Sequence, residues 1–316
     1  MRCPRLSELP VPPEGRIGWP WTEESARLPD VAWNGHSWPK VSIVTPSLNQ
    51  GRFIEETIRS VLLQGYPNLE YIIIDGGSGD GTIDIIRRYE QWVSFWISEP
   101  DMGQADAINK GFGRATGDVM AWLNSDDTYR RDALACAMRY FVENPACEIT
   151  YGEAWHTDEE GHRLRPCRYV TDPIPARLIL NVDPIVQPTT FWRTALWRRI
   201  GMLEADLVWG FDWEFYIRAH MESTLHYIPA FFANYRLHGS MKTRASQARH
   251  AELARITRRY GGWRQPTNLI YQAARPSYLI RNLTSNWPDW IRKPLAFLSA
   301  APMFVLQRLY AGRFMT

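Results

Sequence analysis

Cysteine is scarce: Cys3, Cys136, Cys147 and Cys167 are the only four in 316 residues, and none forms a C-x-x-C pair. So few neither build a disulfide framework nor suggest a zinc site. A reducing compartment, the cytoplasm, is therefore expected. The N-terminus lacks the apolar core of a signal peptide, because Pro4, Pro10, Pro12 and Pro13 interrupt it. The apolar stretch from Pro294 to Leu306 is broken by Pro302 and falls short of the roughly 20 residues of a spanning helix. Net charge is nearly absent at +2. With no zinc-finger or helix-turn-helix signature either, nucleic acid is not an expected partner. There is no G-x-x-x-x-G-K-[ST] loop and no G-x-G-x-x-G after the first expected strand, which disfavours a P-loop nucleotidase and a dinucleotide-binding fold. Internal repeats and low-complexity tracts are also missing.

What is present is a chain with 45% hydrophobic residues, enough to bury a large core in one main domain with appendages. Its charge is unevenly spread. Residues 242–316 contain 13 Lys or Arg against Glu252 and Asp289, a balance of +11 that leaves −9 over residues 1–241. Residues 1–39 are rich in Pro and Trp (Trp19, Trp21, Trp33, Trp38) and read as an irregular lead-in packed over the body. From Lys40 the pattern alternates. Val41–Thr45, Tyr71–Ile74, Phe95–Ile97 and Val119–Leu123 read as strands. Between and after them come helices carrying Ile54, Ile58, Val61 and Leu62, then Ile85, Ile86 and Tyr89, then Ala105 to Arg114 and Arg131 to Asn144. Alternation of this kind predicts an α/β fold, a doubly wound and mostly parallel sheet with helices on both faces, over 40–240. A basic, largely helical extension is expected over 241–316.

Each expected strand ends in a polar loop: Thr45-Pro46-Ser47-Leu48-Asn49, Asp75-Gly76-Gly77-Ser78-Gly79-Asp80-Gly81-Thr82, Glu99-Pro100-Asp101-Met102-Gly103 and Asn124-Ser125-Asp126-Asp127. In a parallel sheet all four emerge at one edge, the carboxyl edge where ligands bind. Any one of them alone reads equally as a turn, and Asp126-Asp127 also fits a helix N-cap pair. Together they read as a ligand crevice. With no phosphate loop, a divalent metal on Asp126 can neutralise a diphosphate leaving group. Oxygen ligands favour Mg²⁺ or Mn²⁺ over zinc. Asp75 can accept from an imide N–H such as that of uracil.

These three motifs, Ser42 to Asn49, Ile74 to Thr82 and Trp122 to Asp127, resemble the family 2 glycosyltransferases of the GT-A, Rossmann-like fold, and the likeness extends over about residues 40–240. The resemblance implies inverting transfer of a sugar from a nucleotide-diphosphate donor to an acceptor hydroxyl. It places Thr45, Pro46, Ser47 and Asn49 against base and ribose and Asp75 against the base. Asp106 and Lys110 fall on the nucleotide side, with Ser78, Asn124 and Ser125 completing it. Asp126 takes the metal position of the D-x-D motif, and Asp127 a contact to the donor sugar. Asn124 stands where the motif has its first Asp, so one negative charge is missing.

Transfer also requires a base to take the acceptor proton. The segment Trp209-Gly210-Phe211-Asp212-Trp213-Glu214 is similar to the family's acidic helix start, which makes Asp212 the candidate base, with Glu214 the alternative on the acceptor side and Phe211 in place of the usual preceding Glu. Asp212 reads equally as a helix cap. Tyr235-Arg236-Leu237-His238 resembles the family's R-x-H segment, and His238 is a second candidate metal ligand or a structural histidine. Gln187, in Gln187 to Arg193, is a candidate acceptor contact or part of a plain strand.

The expected activity is therefore a hexosyl or N-acetylhexosaminyl transfer in cell-surface polysaccharide or glycolipid assembly, with UDP favoured on the family likeness and the acceptor a carbohydrate or a lipid-linked sugar. The alternative is a fold-retaining nucleotide-sugar or partner-binding protein with weak catalysis, opened by Asn124 and Phe211. Arg244, Arg249, Arg255, Arg258, Arg259 and Arg264, followed by Trp287, Trp290, Arg292, Lys293, Phe297 and Phe304, suit either the cytoplasmic face of an anionic membrane or a solvated helix packed on the body.

Overall fold

The computed structural model describes residues 1–167, 172–180, 183–242 and 247–261, and single residues or short groups between 273 and 305. Its elements are β1 (Val41–Ser47), α1 (Ile54–Leu62), β2 (Leu69–Asp75), α2 (Thr82–Tyr89), β3 (Phe95–Ser98), α3 (Gln104–Phe112), β4 (Val119–Trp122), β5 (Thr128–Tyr129), α4 (Ala133–Glu143), β6 (Ile149–Thr157), β7 (Arg163–Pro166), α5 (Ala176–Ile179), β8 (Phe191–Arg193), α6 (Thr194–Ile200), α7 (Phe211–Glu222), β9 (Leu225–Arg236) and α8 (Gln247–Gly261). Two compact units share them. The first comprises Met1–Pro173, Ile185–Asp206 and Arg218–Ser240, and the second Ile174–Pro184, Leu207–Ile217 and Met241–Thr316. Two segments inside the expected 40–240 domain thus group with the C-terminal part.

In the first unit, β3, β2, β1 and β4 run parallel in that order. Strands β1, β2 and β4 are buried along their whole length, as apolar strands covered on both faces must be. Beyond β4 the sheet becomes mixed. Strand β8 is antiparallel to β4 and to β6, β9 is parallel to β6, and β5 and β7 are antiparallel additions on β9 and β6. The α/β expectation holds for a mixed sheet whose leading half is parallel.

Register decides where the loops emerge. Ser47 pairs with Asp75, Asp75 with Ser98 and Val44 with Trp122, so the four polar strand ends share one edge. Helix α3 lies directly on β1 because position 111 is glycine: a Cβ there would sit well inside contact distance of both Val44 methyl groups.

The lead-in is part of this core rather than a separate layer. Cys3, Leu9, Ala32 and Trp38 belong to the same hydrophobic cluster as β1, α1 and β2. Its path is fixed by Arg59 of α1, which is fully buried. That guanidinium donates to the carbonyls of Pro10 (2.8 Å), Pro20 (3.1 Å) and Trp21 (2.9 Å) and to Tyr89 Oη (3.0 Å), with the Trp21 ring beside it. No helix among the described residues is long and apolar enough to cross a membrane. Of the basic extension, Arg244, Arg264, Arg292 and Phe304 lie outside the described residues.

The α3–β1 contact generates a stability prediction. Gly111→Ala should overpack the contact and lower the unfolding free energy by about 1–3 kcal/mol. Denaturant titration should also find that Val44→Ala costs less in the Gly111→Ala background than in the wild type, because the two changes occupy one space.

Candidate functional site

The loops after β1 and β2 are stitched to each other rather than hanging free. Asn49 adopts a left-handed φ of 53°, its N–H donates to Ser78 Oγ (2.7 Å), and its Oδ1 accepts from Gly79 N–H (2.9 Å). One turn on, Gln50 N–H donates to Thr82 Oγ1 (2.9 Å) and Gly51 N–H to Asp80 Oδ2 (2.9 Å). Asp80 in turn receives Thr82 Oγ1 and N–H, bonds that hold its carboxyl below the usual range against a burial effect of opposite sign.

Asp75 is the hub of the second loop. Oδ2 accepts from Gly77 N–H (3.1 Å), Ser78 N–H (2.8 Å) and Ser98 Oγ (2.6 Å), and Oδ1 accepts from Ser78 Oγ (2.5 Å). The residue is fully buried, so an imide N–H reaches this carboxylate only if the Ser78 hydroxyl moves aside. Thr45 Oγ1 pairs with Tyr71 Oη at 3.1 Å, and Pro46 is held in the ladder opposite Ile74. Ser47 Oγ, at the strand end, is buried without a hydrogen-bond partner.

Past β3, Asp106 caps its own loop by accepting from Met102 N–H (3.0 Å) and lies 3.4 Å from Lys110 Nζ, which also reaches Glu99 (3.3 Å). Burial lowers the pKa of the half-buried Lys110 ammonium, and the carboxylates of Glu99 and Asp106 together outweigh that and raise it. Gln104, which no sequence motif marked, donates from Nε2 to Asn124 Oδ1 at 2.7 Å. That bond links the start of α3 to the polar end of β4.

The Asn124–Asp127 turn closes with Asp127 N–H on Asn124 carbonyl oxygen (3.1 Å). Thr57 Oγ1 of α1 lies within reach of the carbonyls of Ser125 (3.0 Å) and Asp127 (2.7 Å). The two aspartates then part company. The Asp126 side chain keeps 23% of its surface exposed and presents Oδ2 to His238 Nε2 at 2.9 Å, while His238 is 1% exposed and is steadied through Nδ1 by Ser240 Oγ (2.9 Å). Asp127 is buried, its Oδ1 accepting from Arg236 N–H (2.9 Å) and its Oδ2 without a partner. Burial, and then the Asp126 charge, push the Asp127 carboxyl well above the usual carboxylate range despite the opposing Arg236 N–H and guanidinium.

Arg236 joins these parts. It is buried, and its guanidinium donates from Nε to the Asp126 carbonyl (2.8 Å), from Nη1 to the Glu159 carbonyl (2.6 Å) and from Nη2 to Glu56 Oε2 (2.9 Å). Phe53 stands against both Arg236 and His238. The R-x-H signal in the sequence pointed to His238, whereas the arginine makes the larger number of bonds.

Gln187 begins a 3₁₀ turn (Gln187–Thr189) rather than a strand, with β8 starting at Phe191. Its Nε2 donates to Trp122 carbonyl oxygen at 2.9 Å, and its buried Oε1 has no partner.

In the second unit Asp212 lies at the start of α7, half-buried, with Oδ1 accepting from Trp213 N–H at 2.8 Å. Burial pushes its carboxyl up to about 6, against the pull of the Trp213 N–H, its own N–H and the Arg249 charge. Glu214 is fully buried and accepts from Tyr260 Oη, which removes it from any acceptor surface. Glu252 caps the preceding turn, accepting from the N–H groups of Val208, Trp209 and Gly210.

As a donor set, the Asp126 carboxylate and the His238 imidazole offer one hard oxygen and one borderline nitrogen 2.9 Å apart, groups able to ligate a divalent metal. Among the described residues, one group of three His, Cys, Asp or Glu ligand atoms converges elsewhere, at Asp158, Glu160 and His162 on the exposed turn between β6 and β7.

Comparison with known proteins bears on this arrangement. Residues 42–213 match the model of glycosyl transferase family 2. An uncharacterized glycosyltransferase of Mycobacterium tuberculosis is 33% identical over 188 residues, covering 58% of this chain and 70% of that protein. A glycosyltransferase provisionally assigned to teichuronic acid biosynthesis in Bacillus subtilis is 39% identical over 116 residues, covering 36% of this chain and 46% of that one. The same fold occurs in Staphylococcus aureus TarS bound to UDP-GlcNAc, with a TM-score of 0.59, 16% identity, and coverage of 84% of this chain and 81% of TarS. It occurs also in a Pyrobaculum calidifontis mannosyltransferase with GDP-Man and Mn²⁺, with a TM-score of 0.52, 16% identity, and coverage of 92% and 79%. Divalent metals are common in enzymes of this fold. The family match over more than half the sequence, joined to a relative one-third identical over most of its own length, places the chain in glycosyl transferase family 2.

Proposed function

We propose that this glycosyltransferase transfers a sugar, with inversion, from a UDP-sugar to an acceptor hydroxyl on a carbohydrate or lipid-linked glycan. The observation that carries the reading is the Asp126–His238 pair, set beside the stitched β1 and β2 loops at the carboxyl edge of the parallel strands. Asp126 and His238 would hold a divalent metal, Mn²⁺ or Mg²⁺, which would supply Lewis-acid stabilisation of the diphosphate leaving group. Ser47, Asn49, Ser78, Asp106 and Lys110 form the nucleotide side, and the Gln104 bond orients Asn124 toward it. Asp75 and Asp127 are buried and brace the loops through hydrogen bonds, and contact of Asp75 with the base requires the Ser78 hydroxyl to move aside.

Asp212 is the general base. Its carboxylate accepts the acceptor O–H proton as that oxygen forms a bond to the anomeric carbon, and the anomeric carbon–oxygen bond breaks with its electron pair leaving on the nucleoside diphosphate. No enzyme nucleophile is needed for a single displacement, so one carboxylate suffices. A carboxyl raised toward neutrality is a stronger base than an ordinary aspartate and is still ionised at pH 7.

Turnover of a panel of nucleotide-diphosphate sugars with Mn²⁺ tests the whole reading, and no metal-stimulated turnover with any donor would leave the protein a binding module. Asp212→Asn should lower kcat by roughly 10²–10⁴-fold while the thermal shift given by UDP with Mn²⁺ is retained. Since the base works ionised, log kcat/KM of the wild type should climb with pH and level off above about 6; a flat profile from pH 5 to 7 would exclude Asp212. Asp126→Ala should raise the Mn²⁺ concentration for half-maximal turnover by about tenfold or more.

A further inference from the structure

Three consecutive backbone N–H groups in the second unit converge on one carboxylate of α8: Val208 N–H donates to Glu252 Oε2 (2.9 Å), and those of Trp209 and Gly210 both donate to Oε1 (2.8 Å each). Successive N–H groups turned to one side form a concavity that favours an anion. Glu252 is buried, and a charge so placed is held at low cost only where strong, charge-assisted bonds replace its water. The turn it grips ends two residues before Asp212.

The rest of α8 is fitted to the same place. A Cβ added at Gly210 would lie 2.7 Å from Ile256 Cδ1 and 2.9 Å from Leu253 Cδ2, so the glycine lets the helix seat directly against the turn. Further along α8, Tyr260 Oη donates to Glu214 Oε1 in the first turn of α7. Helix α8 therefore grips the chain on both sides of Asp212. The Asp212 carboxylate accepts from Trp213 N–H (2.8 Å), so its place follows from where α7 begins. Charge on α8 reaches it as well: Glu252 raises its carboxyl and Arg249, three residues earlier and so adjacent on the helix surface, lowers it.

We propose that Glu252 is a positioning residue for the transfer reaction, fixing the 208–210 turn against α8 and thereby setting where the Asp212 carboxylate stands. The proposal rests on Asp212 being the general base.

Steady-state kinetics of Glu252 variants in the full-length protein tests it. Glu252→Gln keeps the shape of the side chain but removes its charge and turns one acceptor oxygen into a donor. It should lower kcat by roughly tenfold to a hundredfold, leave the donor KM and the thermal shift given by UDP with Mn²⁺ as in the wild type, and move the acidic limb of log kcat/KM to lower pH. Arg249→Gln should move that limb to higher pH. A residue that merely stabilised the fold would change the fraction of active protein and leave the limb in place. An unmoved limb or a wild-type kcat in folded Glu252→Gln would therefore overturn the proposal. Should that variant not fold, the milder Glu252→Asp decides: a lower kcat at unchanged donor KM supports the proposal, and a wild-type kcat overturns it. Either failure leaves the base standing so long as Asp212→Asn is impaired, whereas full turnover by Asp212→Asn would remove the base and this inference with it.

Discussion

A buried guanidinium organises the first unit. Placing a cation in a core is unfavourable unless partners surround it, and Arg236 finds them in three segments far apart in sequence: Glu56 in α1, the Asp126 carbonyl after β4 and the Glu159 carbonyl after β6. Its own backbone N–H occupies Asp127. The end of β9 is thereby tied to the turn that carries Asp126, and His238, two residues on, has little choice but to face it. The Phe53 ring packs against both residues.

The two raised carboxyls show how one physical cause serves two ends. Burial is the largest effect on both Asp127 and Asp212. Asp127 also feels the negative charge of Asp126 and has no open surface, so its carboxyl acts as a structural acceptor. Asp212 is half-buried and balanced by nearby N–H groups and Arg249, so its shift stays small enough to leave it ionised near neutrality.

Much of this was legible in the sequence. β1, β2, β3 and β4 appear as short apolar runs bounded by polar loops, and their ends differ from expectation by two residues at most. The later strands were not legible. β5 is two residues long, β8 three, and β9 mixes buried and half-buried positions without a clean alternation, so neither period stands out. The second unit draws on three separated segments, an association that no local pattern announces. At the candidate site, Asp126 and His238 meet, while Asp75, Asp127 and Glu214 look equally chemical on the page and are buried. The sense in which a carboxylate faces is set by its neighbours in space. For the same reason Gln104 and Thr57, which act through an amide and through carbonyls, left no signature of their own.

The clamp around Arg59 illustrates how such contacts shape what a sequence is free to change. Its three acceptors in the lead-in are main-chain carbonyls, at positions 10, 20 and 21. A carbonyl is the same whatever side chain it carries, so apart from Trp21, whose ring also covers the guanidinium, this contact reads the path of the backbone and not its residues. That contact does not by itself restrict the side chains at positions 10 and 20, whereas an insertion or deletion between positions 10 and 21 would pull an oxygen away from a charge that has no route to water.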